Sequence, residues 1–185
     1  AQTARDWTVA DLEELPDDGR RYEVIDGELL VTPAPSLDHQ EAIARLYVML
    51  APYVAAQGCG HVVFAPADVV FSPRRGVQPD LFVVPLVDGR RPKRFADAGR
   101  LLLAVEVLSP STARADRLKK RNMYRAERVD EYWVVDLDAR LFERTTPADD
   151  RVEIVADRLE WRPEGTAAPL VIDVERYFTE VLGAA

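Results

Sequence analysis

One stretch constrains this chain more than any other. Residues 101–108 read Leu-Leu-Leu-Ala-Val-Glu-Val-Leu, a run apolar at every position except Glu106. A strand apolar on both faces belongs in the middle of a sheet that is covered on both sides. Its single carboxylate is then taken out of water, at a cost of several kcal/mol unless it is paired or bound to a cation. Asp80 is in a similar position. It follows Pro79 and opens the apolar run Asp80 to Val84. If these two strands are neighbours, both carboxylates point to one spot. Two oxygen donors of this kind suit a hard cation, Mg²⁺ or Mn²⁺. Such an ion lowers the pKa of a bound water and polarises a phosphoryl oxygen. The plainer alternatives stay open: Asp80 as a turn cap, and Glu106 salt-bridged to an arginine.

The remaining elements place these strands in context. Val9 to Leu15 reads as a short helix behind Thr8 as N-cap, and Arg21 to Ile25 with Glu28 to Thr32 as a hairpin turned at Asp26-Gly27. Asp38 and Glu41 are spaced as a capping box for a helix with apolar Ile43, Leu46, Tyr47, Leu50 and Val54, which Pro52 is expected to kink or shorten. His61 to Phe71 is strand-rich and interrupted at Pro66; Ser72 to Gln78 reads as a turn. A helix is expected from about Ala113 to Arg128, then strands over Asp130 to Asp136, Arg140 to Thr145 and Val152 to Trp161, and a closing helix over Asp173 to Leu182. The pattern predicts an α/β (α+β) single domain over residues 1–185, with helices packed on a mixed central sheet. In the helix after Thr112, Asp116, Lys120 and Tyr124 recur at every fourth position and share one face. A lysine there can reach the acidic pair, and the Tyr124 hydroxyl can support it. The alternative is an ordinary surface ion pair between Asp116 and Lys120.

Composition narrows the function classes. The net charge of −8 argues against a broad nucleic-acid surface, since phosphates call for Lys and Arg. The distribution is uneven, however. Seven basic residues against two acidic ones fall between Arg114 and Arg128, and Arg90, Arg91, Lys93 and Arg94 form a second cluster. Cys59 is the lone cysteine, so an internal disulfide and a cysteine-rich zinc site are excluded. Between Gly58 and Gly60 it is expected to pack at a turn rather than act as a nucleophile. No apolar run is long enough to span a bilayer, and the N-terminal residues show no apolar signal core, so a reducing cytoplasm is the expected compartment.

Several segments, in order, resemble the Uma-two family within the PD-(D/E)XK nuclease superfamily. They are Tyr22 to Leu29, Pro35-Ser36 with His39, Gln78-Pro79-Asp80-Leu81, Val105 to Thr112, the Asp116, Lys120 and Tyr124 positions, and Glu131 to Asp136. The resemblance runs from about Trp7 to Leu182. It implies a restriction-endonuclease-like core with Asp80 and Glu106 as ligands of Mg²⁺ or Mn²⁺, and Glu23 as a further acid at the site. In the superfamily signature a lysine stands two residues after the strand acid, and here that position is Leu108. Lys120 from the following helix is the expected replacement, supported by Tyr124. Lys119 is the adjacent competitor, about 100° round the helix. His39, Asp116 and Lys119 are candidate substrate contacts. The resemblance implies an endonuclease hydrolysing phosphodiester bonds in DNA, with a homodimer as the implied assembly. The alternative is an inactive nuclease-fold module that binds nucleic acid or protein.

Overall fold

The computed structural model describes residues 5–109, 115–149 and 151–183. It opens with α1 (Val9–Leu12), capped by Thr8 through a box closed by Asp11, and shorter than the segment expected to Leu15. The hairpin β1 (Arg21–Ile25) and β2 (Glu28–Thr32) follows with the anticipated bounds. Its turn needs two left-handed residues, and Asp26 and Gly27 supply φ of 53° and 84°. A β-carbon at Gly27 would also fall 1.9 Å from Asp6 Oδ1 and 2.5 Å from Arg74 Nη2. Gly27→Val is therefore expected to cost about 1–3 kcal/mol through backbone strain and displaced side chains. A shift in urea midpoint at unchanged slope would report it.

The long helix α2 (Leu37–Gln57) corrects the expected cap and shows that Pro52 does not shorten the helix. Its cap is Ser36, whose hydroxyl accepts the His39 amide at 3.2 Å, so the Asp38–Glu41 box does not form. Glu41 instead accepts from Arg45 at 2.7 Å. Nor does Pro52 end the helix, which runs on to Gln57 and stops at left-handed Gly58. Pro52 and Val48, the residue whose carbonyl loses its donor, are both exposed, so that carbonyl can turn to solvent.

Four strands follow, β3 (Gly60–Phe64), β4 (Val69–Ser72), β5 (Arg75–Val77) and β6 (Leu81–Pro85), of which β3 and β4 are sheet edges. The segment read as a turn from Ser72 to Gln78 thus holds a short strand, because β5 finds β1 and β4 as partners. After α3 (Phe95–Ala98) comes β7 (Leu103–Val107), buried along its whole length. The expected helix after Thr112 is described only from Ala115. It is π-helical over Ala115–Lys120 and continues as α4 (Arg121–Ala126). The chain ends with β8 (Tyr132–Asp136), β9 (Leu141–Thr145), β10 (Glu153–Val155), β11 (Arg158–Trp161), β12 (Leu170–Asp173) and α5 (Val174–Leu182).

Six strands form the central sheet in the order β10-β9-β8-β7-β6-β3, with β7 and β8 parallel and the other neighbours antiparallel. This is the mixed sheet flanked by helices that the pattern predicts. A second sheet, β2-β1-β5-β4, packs beside it. On one face Leu46 and Leu50 of α2 and Tyr177 and Phe178 of α5 bury Val105, Trp133 and Phe142. On the other, Met123 and Tyr124 cover Phe82, Ala104 and Val134 together with Ile25, Val69 and Val77 of the second sheet. Strand alternation puts Glu106 on the same face as Ala104, turned toward α4 and the second sheet. Among the described residues no helix is long and apolar enough to cross a membrane.

Candidate active site

The parallel β7–β8 pair needs a crossover, and the chain makes it with the π turn and α4. That crossover carries Lys120 and Tyr124 over the strand that carries Glu106. Lys120 ends the π segment and opens α4, so the four-residue spacing to Tyr124 is α-helical and both side chains reach one carboxylate. Lys120 Nζ lies 2.9 Å from Glu106 Oε1 and the Tyr124 hydroxyl donates to the same oxygen at 3.0 Å. A π turn in place of an α turn is often found where a side chain must be aimed at a functional group.

Glu23 comes in from the second sheet. Its Oε1 accepts the Gln78 amide at 2.8 Å, and its Oε2 lies 2.9 Å from Lys120 Nζ as an ion pair outside hydrogen-bond geometry. The ammonium is thus held between two carboxylates, and all three side chains are at most 3% exposed. Asp80 sits just before β6, at the end of the sheet where β7 finishes. Its Oδ2 accepts the amide of Val107, the residue after Glu106, at 2.8 Å and lies 3.1 Å from His39 Nε2. Its Oδ1 accepts from Arg21 at 2.8 Å. Burial pushes the Asp80 carboxyl up, but the hydrogen bond and charge of His39, with Arg21 and Lys120 nearby, outweigh it and hold the group at about 2. Burial, with the Glu106 charge beside it, raises the Tyr124 hydroxyl well above its ordinary value, so it remains a donor at neutral pH.

Asp80, Glu106, Lys120, His39 and Arg21 all line one cavity of about 610 Å³. Four of the residues singled out from sequence line it, His39, Asp80, Glu106 and Lys120, with Glu23 paired to Lys120 and Tyr124 bonded to Glu106 behind them. Lys119 does not join them. It faces away and pairs with Glu28 on the second sheet. The Asp116 side chain lies outside the described residues. Sequence reasoning missed Arg21. The signal was available, since Arg21 and Glu23 are two apart on one strand and so share a face.

The cluster joins three buried carboxylates (Glu23, Asp80 and Glu106) to two fixed positive groups, Arg21 and Lys120, with His39 beside Asp80. Among the described residues no group of three or more His, Cys, Asp or Glu side chains is set to cage a metal ion. The donors on offer are the carboxylates of Asp80 and Glu106. This set fits Mg²⁺ or Mn²⁺, since Mg²⁺ commonly takes one or two carboxylates and keeps several waters. His39 Nδ1 is buried without a hydrogen-bond partner, a further polar atom left for a bound group or water.

Comparison with known proteins bears on the family and the fold. A family model described as "Uma2: Putative restriction endonuclease" matches residues 9–175. Among solved structures, "a putative nuclease belonging to DUF820 from Anabaena variabilis ATCC 29413" superposes with a TM-score of 0.78 over 95% of this chain and 99% of that one. At 18% identity that likeness carries the fold alone. No curated protein matches the chain.

Proposed function

The chain belongs to the Uma2 family of restriction-endonuclease-like proteins, and on that premise we propose that it is a metal-dependent endonuclease hydrolysing phosphodiester bonds in DNA. The observation that carries the proposal is the convergence of Asp80, Glu106 and Lys120 on one cavity, from two strands and a crossover helix. Asp80 and Glu106 would hold Mg²⁺ or Mn²⁺. When bound, such an ion supplies a water of lowered pKa and polarises a phosphoryl oxygen.

The chain's own groups do the rest. Val107 N–H, Arg21 and His39 hold the Asp80 carboxylate in one orientation and keep it ionised. Tyr124 fixes Glu106 in the same way. Glu23 anchors Lys120, so the ammonium is already in place to meet charge building on the phosphate, with no reorganisation at the moment of reaction. The lysine of the superfamily signature would rise from the position of Leu108. Here Lys120 reaches the same carboxylate from the helix.

Plasmid nicking tests this. Wild-type protein with Mg²⁺ or Mn²⁺ is expected to nick supercoiled DNA, EDTA to stop it, and Glu106→Gln to lower the rate about 100-fold or more. Equal residual nicking by wild type and Glu106→Gln would overturn the proposal.

A second reading rests on one observation. Each carboxylate already has cationic partners, Asp80 with Arg21 and Glu106 with Lys120, and Leu108 stands at the usual lysine position. An inactive module of the same fold would bind DNA or a protein partner without metal and cleave nothing.

A further inference from the structure

A second cavity of about 800 Å³ lies along β3, the edge strand of the central sheet, away from the acidic cluster. Tyr47 and Phe64 stand on one side of it, their rings edge to face at 5.2 Å, and Phe64 is 52% exposed. Arg91, Lys93 and Arg94 line the other side, all exposed. Arg94 reaches Asp97 at 3.0 Å, whereas Arg91 and Lys93 form no ion pair among the described residues. A protein of net charge −8 thus leaves two cations, Arg91 and Lys93, without an ion pair beside an exposed ring, with Asp68 also lining the groove. The active-site chemistry uses none of these residues.

An exposed aromatic face next to fixed cations matches the two parts of a single nucleic-acid strand, its base and its phosphates. A duplex keeps its bases stacked inside and gives Phe64 nothing to stack on. One end of β3 meets, through the backbone, the segment that carries Asp80. Phe64 pairs with Leu81, the residue after Asp80, and the Ala65 amide donates to the Asp80 carbonyl at 3.0 Å.

We propose that this groove binds a single-stranded nucleic-acid segment, with phosphates on Arg91, Lys93 and Arg94 and a base against Phe64. The DNA-hydrolase reading supplies the substrate class, while binding here does not depend on cleavage. A strand seated along β3 would place a neighbouring nucleotide near Asp80.

The test is fluorescence anisotropy with a labelled short oligothymidylate and the full chain in EDTA. Wild type is expected to bind in a salt-dependent manner. The triple change R91E/K93E/R94E should weaken binding about 10-fold or more and lower the slope of log K against log salt by about 2, at ~0.7 per phosphate contact. Phe64→Ala should weaken it about 5-fold or more with an unchanged slope. Thermal melts of both variants check that they are folded. Glu106→Gln should bind as wild type while losing nicking, which separates this proposal from the catalytic one. Absence of binding by wild type would overturn it, as would variants that bind as wild type. So would tighter binding of a duplex of equal length, or equal competition by an acidic peptide of matched charge.

Discussion

Lys120→Met is expected to reduce cleavage about 100- to 1,000-fold, the loss typical when one preorganised charge-stabilising donor is removed from an active site. It should also destabilise the fold. The ammonium lies 2.9 Å from both Glu23 Oε2 and Glu106 Oε1 and is 3% exposed. Removing it leaves two buried carboxylates without their shared counter-charge, a change that costs about 3–5 kcal/mol when one partner of a buried pair is deleted. Urea unfolding and single-turnover cleavage, run on the same preparation, read the two effects separately. Lys119→Met is the control. Its ammonium pairs with Glu28 in a half-exposed surface contact, so both readouts should stay at the wild-type value. Wild-type cleavage by Lys120→Met, or loss of cleavage by Lys119→Met, would show that the helix lysine has been misassigned.

Trp133→Ala is expected to be the most damaging change away from the site. Trp133 is fully buried at the centre of β8, with ring centroids 6.0 Å from Phe142 and 6.2 Å from Trp161. Its indole N–H donates to Glu131 Oε1 at 2.6 Å. Truncation leaves a cavity where the central sheet meets the layer of α2 and α5, at about 3–5 kcal/mol. For a chain of this size that corresponds to a fall in Tm on the order of 10 °C. Glu131 keeps its contact with Arg144 at 2.6 Å, so the loss is chiefly one of packing. Trp133→Phe should recover a large part of it. A calorimetric shift of only a degree or two for Trp133→Ala would place the core's centre elsewhere.

Local chemistry made much of this legible from residues alone. Asp26-Gly27 encodes its own turn, so the first hairpin has the expected bounds. Glu106 stood out because an apolar strand has no other reason to carry a carboxylate, and Lys120 and Tyr124 shared a helical face. What escaped depends on distant partners. Strand β12 is defined by pairing with β11 across a loop, and β5 by lying between β1 and β4. The cap of α2 went to Ser36 rather than to the Asp38–Glu41 pair because the helix starts one residue before Asp38. Arg21 shares a strand face with Glu23, but its partner is set by β1 lying beside the Asp80 loop, where its guanidinium also donates to the Gln78 carbonyl at 2.9 Å. The choice of Lys120 over Lys119, by contrast, was legible from the four-residue step to Tyr124, which is α-helical because Lys120 opens α4.

The crossover between β7 and β8 has a bearing on how the chain comes together as it is synthesised. By the time Val107 has emerged, Glu23, Asp80 and Glu106 are all present, but Arg21 is the sole fixed cation of the cluster yet made. Burying Glu23 and Glu106 at that stage would strand two charges in an apolar interior. The nascent N-terminal half therefore cannot complete its middle layer until the ribosome has delivered Lys120 and β8 has docked to hold the crossover down. Assembly of the acidic cluster and closure of the sheet become a single late event.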